Sequence, residues 1–123
     1  DSVANVAKRA REVSPEPPLD GHVGLPEMGR LTAQFLAETM RAMTDADAAA
    51  AREVAVRDDE IDARYHRAVD RLTELAKASP GNVERAMRLL VAARYLERVG
   101  DHITNIAEDV VFLSSGRRED LNP

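Results

Sequence analysis

Two pairs of acidic residues spaced four apart offer this sequence its chemistry. Glu97 and Asp101 open "ERVGDHITNIAEDV" (97–110), and Asp58 and Asp62 bracket "DDEID" (58–62). On a helix, residues i and i+4 share a face, where two like charges repel by roughly 0.2–0.5 kcal/mol. Carboxylates gathered at one place stay charged only if solvent separates them or a cation neutralises them. An all-oxygen donor set suits hard cations such as Mg²⁺, Ca²⁺, Mn²⁺ or ferric iron, with Zn²⁺ also possible. The competing reading of each pair alone is a solvated helix face.

The elements that would carry these acids are marked out by proline. All six prolines fall between or beside four helical segments, as expected of a residue that removes a hydrogen bond and clashes with the preceding turn. The spacing predicts a short helix over 1–13, a linker over 14–24, and a second helix from Leu25 or Pro26 to Thr44 with Met28, Leu31, Phe35 and Ala42 on one face. A third helix runs from Asp47, a suitable N-cap, to Ala78. The fourth begins after "SPGN", where Asn82 is placed to cap, and stops at Gly116. No stretch alternates apolar and polar residues as a strand would. The fold class is therefore all-α, an antiparallel three-helix bundle over 25–116 with an additional short N-terminal helix and a tail over 117–123.

Periodicity places the acids within this bundle. Leu89, Ala92, Leu96, Val99, Ile103, Ile106, Val110 and Leu113 form an unbroken seam of threes and fours on the fourth helix. The third repeats the pattern through Ala51, Val54, Asp58, Ile61, Tyr65, Ala68, Leu72 and Leu75, so that Asp58 takes a place meant for an apolar side chain. If "SPGN" joins antiparallel neighbours, Asp58 lies level with Asp101 and Asp62 with Glu97. The offset is about one residue, and the rise is about 1.5 Å per residue. The four acids thus meet if both pairs face the groove. Asn105 continues the Glu97 and Asp101 stripe, either to brace a ligand or to cap a surface. Gly100 costs its helix about 1 kcal/mol relative to Ala, either for close packing or to leave room for an ion. His66 and His102 lack the Glu-x-x-His spacing of di-iron bundles and read as surface or packing residues.

Composition narrows the function classes. A chain of 123 residues has the length of one domain with a core. Its net charge of −5, without Trp and with two Phe and two Tyr, excludes the basic, aromatic-interleaved surface that binds nucleic acid. The absence of cysteine excludes disulfides and thiolate metal sites and suits a cytoplasmic protein. No apolar run reaches membrane-spanning length. A faint repeat links "DSVANVAKRA" (1–10) with "DHITNIAEDV" (101–110), matching Asp1 to Asp101, Asn5 to Asn105, Val6 to Ile106 and Ala7 to Ala107. A duplicated unit explains it, with the first helix left from a preceding copy.

At these residues the chain resembles a known family. "RYLERVGDHITNIAEDVVFLSSG" (94–116) looks like the closing helix of PhoU proteins, and "RDDEIDARYHRAV" (57–69) and "SPGNVERAMRLLVA" (79–92) are similar to the preceding parts of the same repeat. The resemblance implies a second PhoU three-helix bundle over 25–116, preceded by the last helix of a truncated first repeat over 1–13. It implies a multinuclear iron or zinc cluster, or another hard divalent cation, held by Asp58, Asp62, Glu97 and Asp101, with Asp1 matching the second acid of the first repeat's motif. The implied function is a non-enzymatic cytoplasmic adaptor, often dimeric, that represses the phosphate-starvation response. It would link the ATPase subunit of the phosphate ABC transporter to the phosphate-sensing histidine kinase and meet the membrane only through these partners. Two other classes compete: a carboxylate-bridged metalloenzyme of the helical-bundle type, and a histidine phosphotransfer domain using His66 or His102.

Overall fold

The computed structural model describes residues 2–13 and 23–122, without the side chains of 9, 10, 12 and 13. The described residues form α1 (Ser2–Val13), α2 (Leu25–Thr44), α3 (Ala48–Val56), α4 (Asp59–Ala78), a 3₁₀ turn (Pro80–Asn82) and α5 (Val83–Ser115), with no strand among them. The helix ends follow from local chemistry. Gly24, left-handed at φ 84°, precedes α2, and Pro26 occupies its first turn. Asp47 caps α3 by accepting a 3.0 Å hydrogen bond from the Ala50 amide. Gly116, at φ 71°, closes α5.

The helix expected over 47–78 is divided at Arg57 and Asp58. There the hydrogen bonds shorten to i→i−3, Arg57 N to Val54 O at 3.1 Å and Asp58 N to Ala55 O at 3.2 Å, before Asp62 N reaches Asp58 O at 3.2 Å. The pattern is a turn of 3₁₀ geometry inside an otherwise continuous helical path. Its sequence origin is the acid run itself. Asp59, Glu60 and Asp62 occupy the first turn of α4, where negative charge meets the positive end of the helix dipole.

α5 is the shared wall of the bundle, packing against α1, α2, α3 and α4. It buries Ala86, Ala93, Gly100 and Ala107, one small residue every seventh position. Met28, Phe35, Val54, Ile61, Val99 and Ile103 fill one half of the core; Ala42, Ala51, Ala55, Ala107, Val110 and Val111 fill the other. The expected seams hold on α3 and α4, with Tyr65 half-buried. On α5, Leu113 is instead 76% exposed. Asn82 also departs from expectation. It makes no side-chain cap to α5 and donates its amide to Leu75 O at 3.0 Å, satisfying the end of α4. α1 docks on α5 of the same chain.

Between α2 and α3 the chain turns through Ala46 at φ 50°. Asp47 N bonds Ala42 O at 2.8 Å and Ala46 N bonds Met43 O at 3.2 Å, a Schellman closure whose left-handed position usually holds glycine. A left-handed alanine costs about 1 kcal/mol. Ala46→Gly is therefore expected to raise stability by about 0.5 kcal/mol, after the greater freedom of glycine in the unfolded chain is offset. Urea denaturation measures it, and a lowered midpoint would refute the strain.

Candidate metal centre

The 3₁₀ turn between α3 and α4 sets Asp58 facing α5, Asp62 follows one turn into α4, and Asp101 answers from α5. Asp58 is 4% exposed, Asp62 half-buried and Asp101 exposed, and one carboxylate oxygen from each lies within 4.8 Å of the others. Gly100 makes this possible. A Cβ there would stand 2.7 Å from Asp58 Oδ1 and 3.1 Å from Ile61 Cδ1, so any side chain would drive the carboxylate from its seat. The two sequence readings of Gly100, close packing and room at the site, describe one contact.

The trio opens on a cavity of about 460 Å³ whose wall continues through Thr104, Asn105 and Glu108 of α5 and through Asp120 and Asn122 of the tail. Burial pushes the Asp58 carboxyl up to about 6, against the hydroxyl of Thr104, which favours the charge; Asp62 and Asp101 push it further and the Asn122 amide opposes them. Asp62 is raised by burial and then by Asp101 and Asp59, with His66 and Arg94 opposing. Asn122 Nδ2 donates to Asp58 Oδ2 at 3.2 Å. Thr104 is 6% exposed, and its hydroxyl stands near enough to favour the Asp58 charge yet meets no partner with hydrogen-bonding geometry. Its lone pairs remain available at the cavity wall.

These residues fit a hard cation. The donors are carboxylate and hydroxyl oxygens, the charge is only partly compensated, by Arg94 and His66 near Asp62, and a buried oxygen lacks a partner. Of the acids singled out by spacing, Asp58, Asp62 and Asp101 come together. Glu97 stands beside them but turns its carboxylate to Arg94 Nη1, in an ion pair that leaves it 13% exposed. Burial and the neighbouring Asp101 still raise its pKa, with Arg94 working against them. Asp1 lies outside the described residues. His66 and His102 are exposed and belong to no such cluster among the described residues. Sequence reading missed Thr104, Glu108, Asp120 and Asn122. Glu108 was within reach, since it lies seven residues beyond Asp101 on the same helical face; the tail residues have no periodicity that places them.

Comparison with known proteins bears on the family and the fold. The PhoU domain model matches residues 25–110. The chain is 36% identical over 118 residues to the phosphate-specific transport system accessory protein PhoU homolog of Xylella fastidiosa strain 9a5c, covering 96% of this chain and 50% of that protein. The homolog of the same name from Deinococcus radiodurans is 35% identical, at 97% and 56% coverage. The chain thus spans about half the length of the curated relatives it matches. Among solved structures, the phosphate transport system regulatory protein PhoU of Streptococcus pneumoniae superposes with a TM-score of 0.84 at 29% identity, covering 98% of this chain and 56% of that one.

The raised Asp58 pKa has a stability consequence with a definite sign. An acid that titrates near 6 when folded and near 3.8 when unfolded binds its proton more tightly in the fold. The stabilisation is complete below about pH 4 and is lost as the pH rises through about 6. Chelator-treated protein is therefore expected to melt higher at pH 5 than at pH 7.5. Asp58→Asn should flatten that slope, raise the pH 7.5 melting temperature, and reduce or abolish the further rise that added metal gives by binding the folded state. Asp47→Asn, at the start of α3, should keep the metal effect. Equal gains from metal in wild type and Asp58→Asn, by scanning calorimetry, would remove Asp58 from the site.

Proposed function

We propose, since this chain belongs to the PhoU family, that it acts as a metal-binding regulator of phosphate uptake and phosphate-starvation signalling. The relatives it matches are named as accessory proteins of the phosphate-specific transport system. Its role is that of a non-enzymatic adaptor between the ATPase subunit of the phosphate ABC transporter and its sensor histidine kinase, at the cytoplasmic face of the membrane and as a homodimer. No helix among the described residues is long and apolar enough to cross a membrane, which is compatible with contact through those partners. The faint repeat and the half-length match support reading α1 as the closing helix of a preceding repeat and 25–116 as one full repeat.

One observation carries the metal part of this reading: three carboxylates from α4, its preceding turn and α5 converge within 4.8 Å beside a buried hydroxyl. Asp58, Asp62 and Asp101 would hold an iron or zinc cluster or another hard divalent cation, with Glu97 within reach on release from Arg94. The bound group supplies positive charge that cancels the repulsion among the acids. The protein's own contribution is to fix α4 against α5 at that height, setting the shape of the surface offered to partners. The all-carboxylate trio, without histidine, supports binding over redox turnover.

The test is binding of the isolated transporter ATPase subunit to this chain, by calorimetry, after chelator treatment and after metal loading. Metal is expected to tighten binding by about tenfold, an ordinary coupling between two sites, and Asp62→Asn with Asp101→Asn to remove the increase. Identical affinity with and without metal, in a protein shown by elemental analysis to carry it, would refute the coupling.

A further inference from the structure

The tail after α5 is held against the acidic cavity by contacts at Glu119, Leu121 and Asn122. Arg52 of α3 forks onto Glu119, with Nε to Oε2 at 2.9 Å and Nη2 to Oε1 at 2.7 Å. Leu121 packs against the alanine-rich half of the core and donates its amide to Glu108 Oε1 at 3.1 Å. Asp120 and Asn122, on either side of Leu121, line the cavity, and Asn122 reaches Asp58. This arrangement sets Asp120 on a wall that already carries Asp58, Asp62, Asp101 and Glu108. Like charges at such a wall repel, and the cationic side chain that anchors the segment, Arg52, is engaged by Glu119.

We infer that the tail supplies part of the cation site: Asp120 contributes a carboxylate and Asn122 its amide oxygen, so that the hard cation bound by the trio is also held by residues 120 and 122. An independent observation points to a ligand in the same cavity, since the Thr104 hydroxyl in its wall is 6% exposed and without a partner. Asn122 donates to Asp58 through Nδ2; a half-turn of the amide presents its carbonyl oxygen to a cation at the same place. Because the anchor and the ligands lie on one short segment, cation binding and tail docking strengthen each other equally. The inference rests on the metal reading of the trio and adds the segment that closes over it.

The experiment titrates the chelator-treated chain with Mn²⁺ alone by calorimetry and compares Asp120→Asn, Asn122→Ala and Asp109→Asn. The last removes the same charge as the first from an exposed position on α5 outside the cavity. Asp120→Asn and Asn122→Ala are expected to weaken Mn²⁺ binding by about tenfold, and Asp109→Asn by less than about twofold. In parallel, trypsin cleavage after the exposed Arg118, followed by mass spectrometry, should slow in wild type on adding Mn²⁺ and stay unchanged in Asp120→Asn. If wild type binds Mn²⁺ but Asp120→Asn matches Asp109→Asn, or Mn²⁺ leaves the cleavage rate of wild type unaltered, the tail has no share in the site while the trio stands. If wild type takes up no Mn²⁺, both readings fall.

Discussion

The contact between Gly100 and Asp58 is the constraint on which the rest of the molecule turns. α5 presents bare backbone there, and an apolar position of the seam is filled by a carboxylate whose oxygen would stand 2.7 Å from a Cβ at residue 100. Around that point α5 keeps small residues at every seventh position, which sets the spacing of the bundle along much of its length. The core adapts to it: bulk is concentrated in Met28, Phe35 and Ile61 on one side, and alanines with Val110 and Val111 fill the other. A wider separation of α4 and α5 would hydrate Asp58 and dissolve the electrostatic character of the cavity.

Charge and packing are distributed to match. The acids that repel one another are brought in by three elements rather than one, so no single helix bears the whole cost. Asp62 and Glu97 have cations nearby in Arg94, whereas Asp58 has only the neutral Thr104 and Asn122 beside it. Asp58 is thus less compensated than Asp62 or Glu97, and it occupies the place where the helical path tightens between α3 and α4. Elsewhere the arginines are spent on surface structure, as where Arg57 lies 4.6 Å from the Phe35 ring centroid and pairs with Glu38.

Much of this was legible in the residues because both signals are periodic. The seam of α4 predicts Ile61, Ala68, Leu72 and Leu75 in the core, and they are there; the hairpin alignment predicts Asp58 level with Asp101, and their carboxylates converge. What escaped is set by features without period. The break at 57–58 shifts the hydrogen bonds by one residue without interrupting the apolar pattern, so a seam runs through it unchanged. Asn82 sits between two helix ends and either is a valid partner for its amide; only the chain path decides. The tail finds its place through one leucine, one forked ion pair and hydrogen bonds to Glu108 and Asp58, none of which a sequence distinguishes from a solvated terminus. Glu97 shows the limit of spacing itself: its height on the helix was right, but a neighbour three residues away captures the carboxylate.

Gly100 and Asp58 also impose an order on how such a sequence can change over time. Losing the acid first leaves vacant space, into which an alanine or serine at 100 is later accepted once Ile61 gives by a few tenths of an ångström. Gaining the larger residue first presses a Cβ against a buried oxygen, an overpacking that costs about 1–3 kcal/mol. Divergence therefore passes in one direction more readily than in the other. Once a lineage has given up the carboxylate and filled the gap, restoring the acid requires two changes, the first of which reopens a void. The pair works as a ratchet, and a descendant that has turned it keeps the bundle but loses the way back to the charged groove.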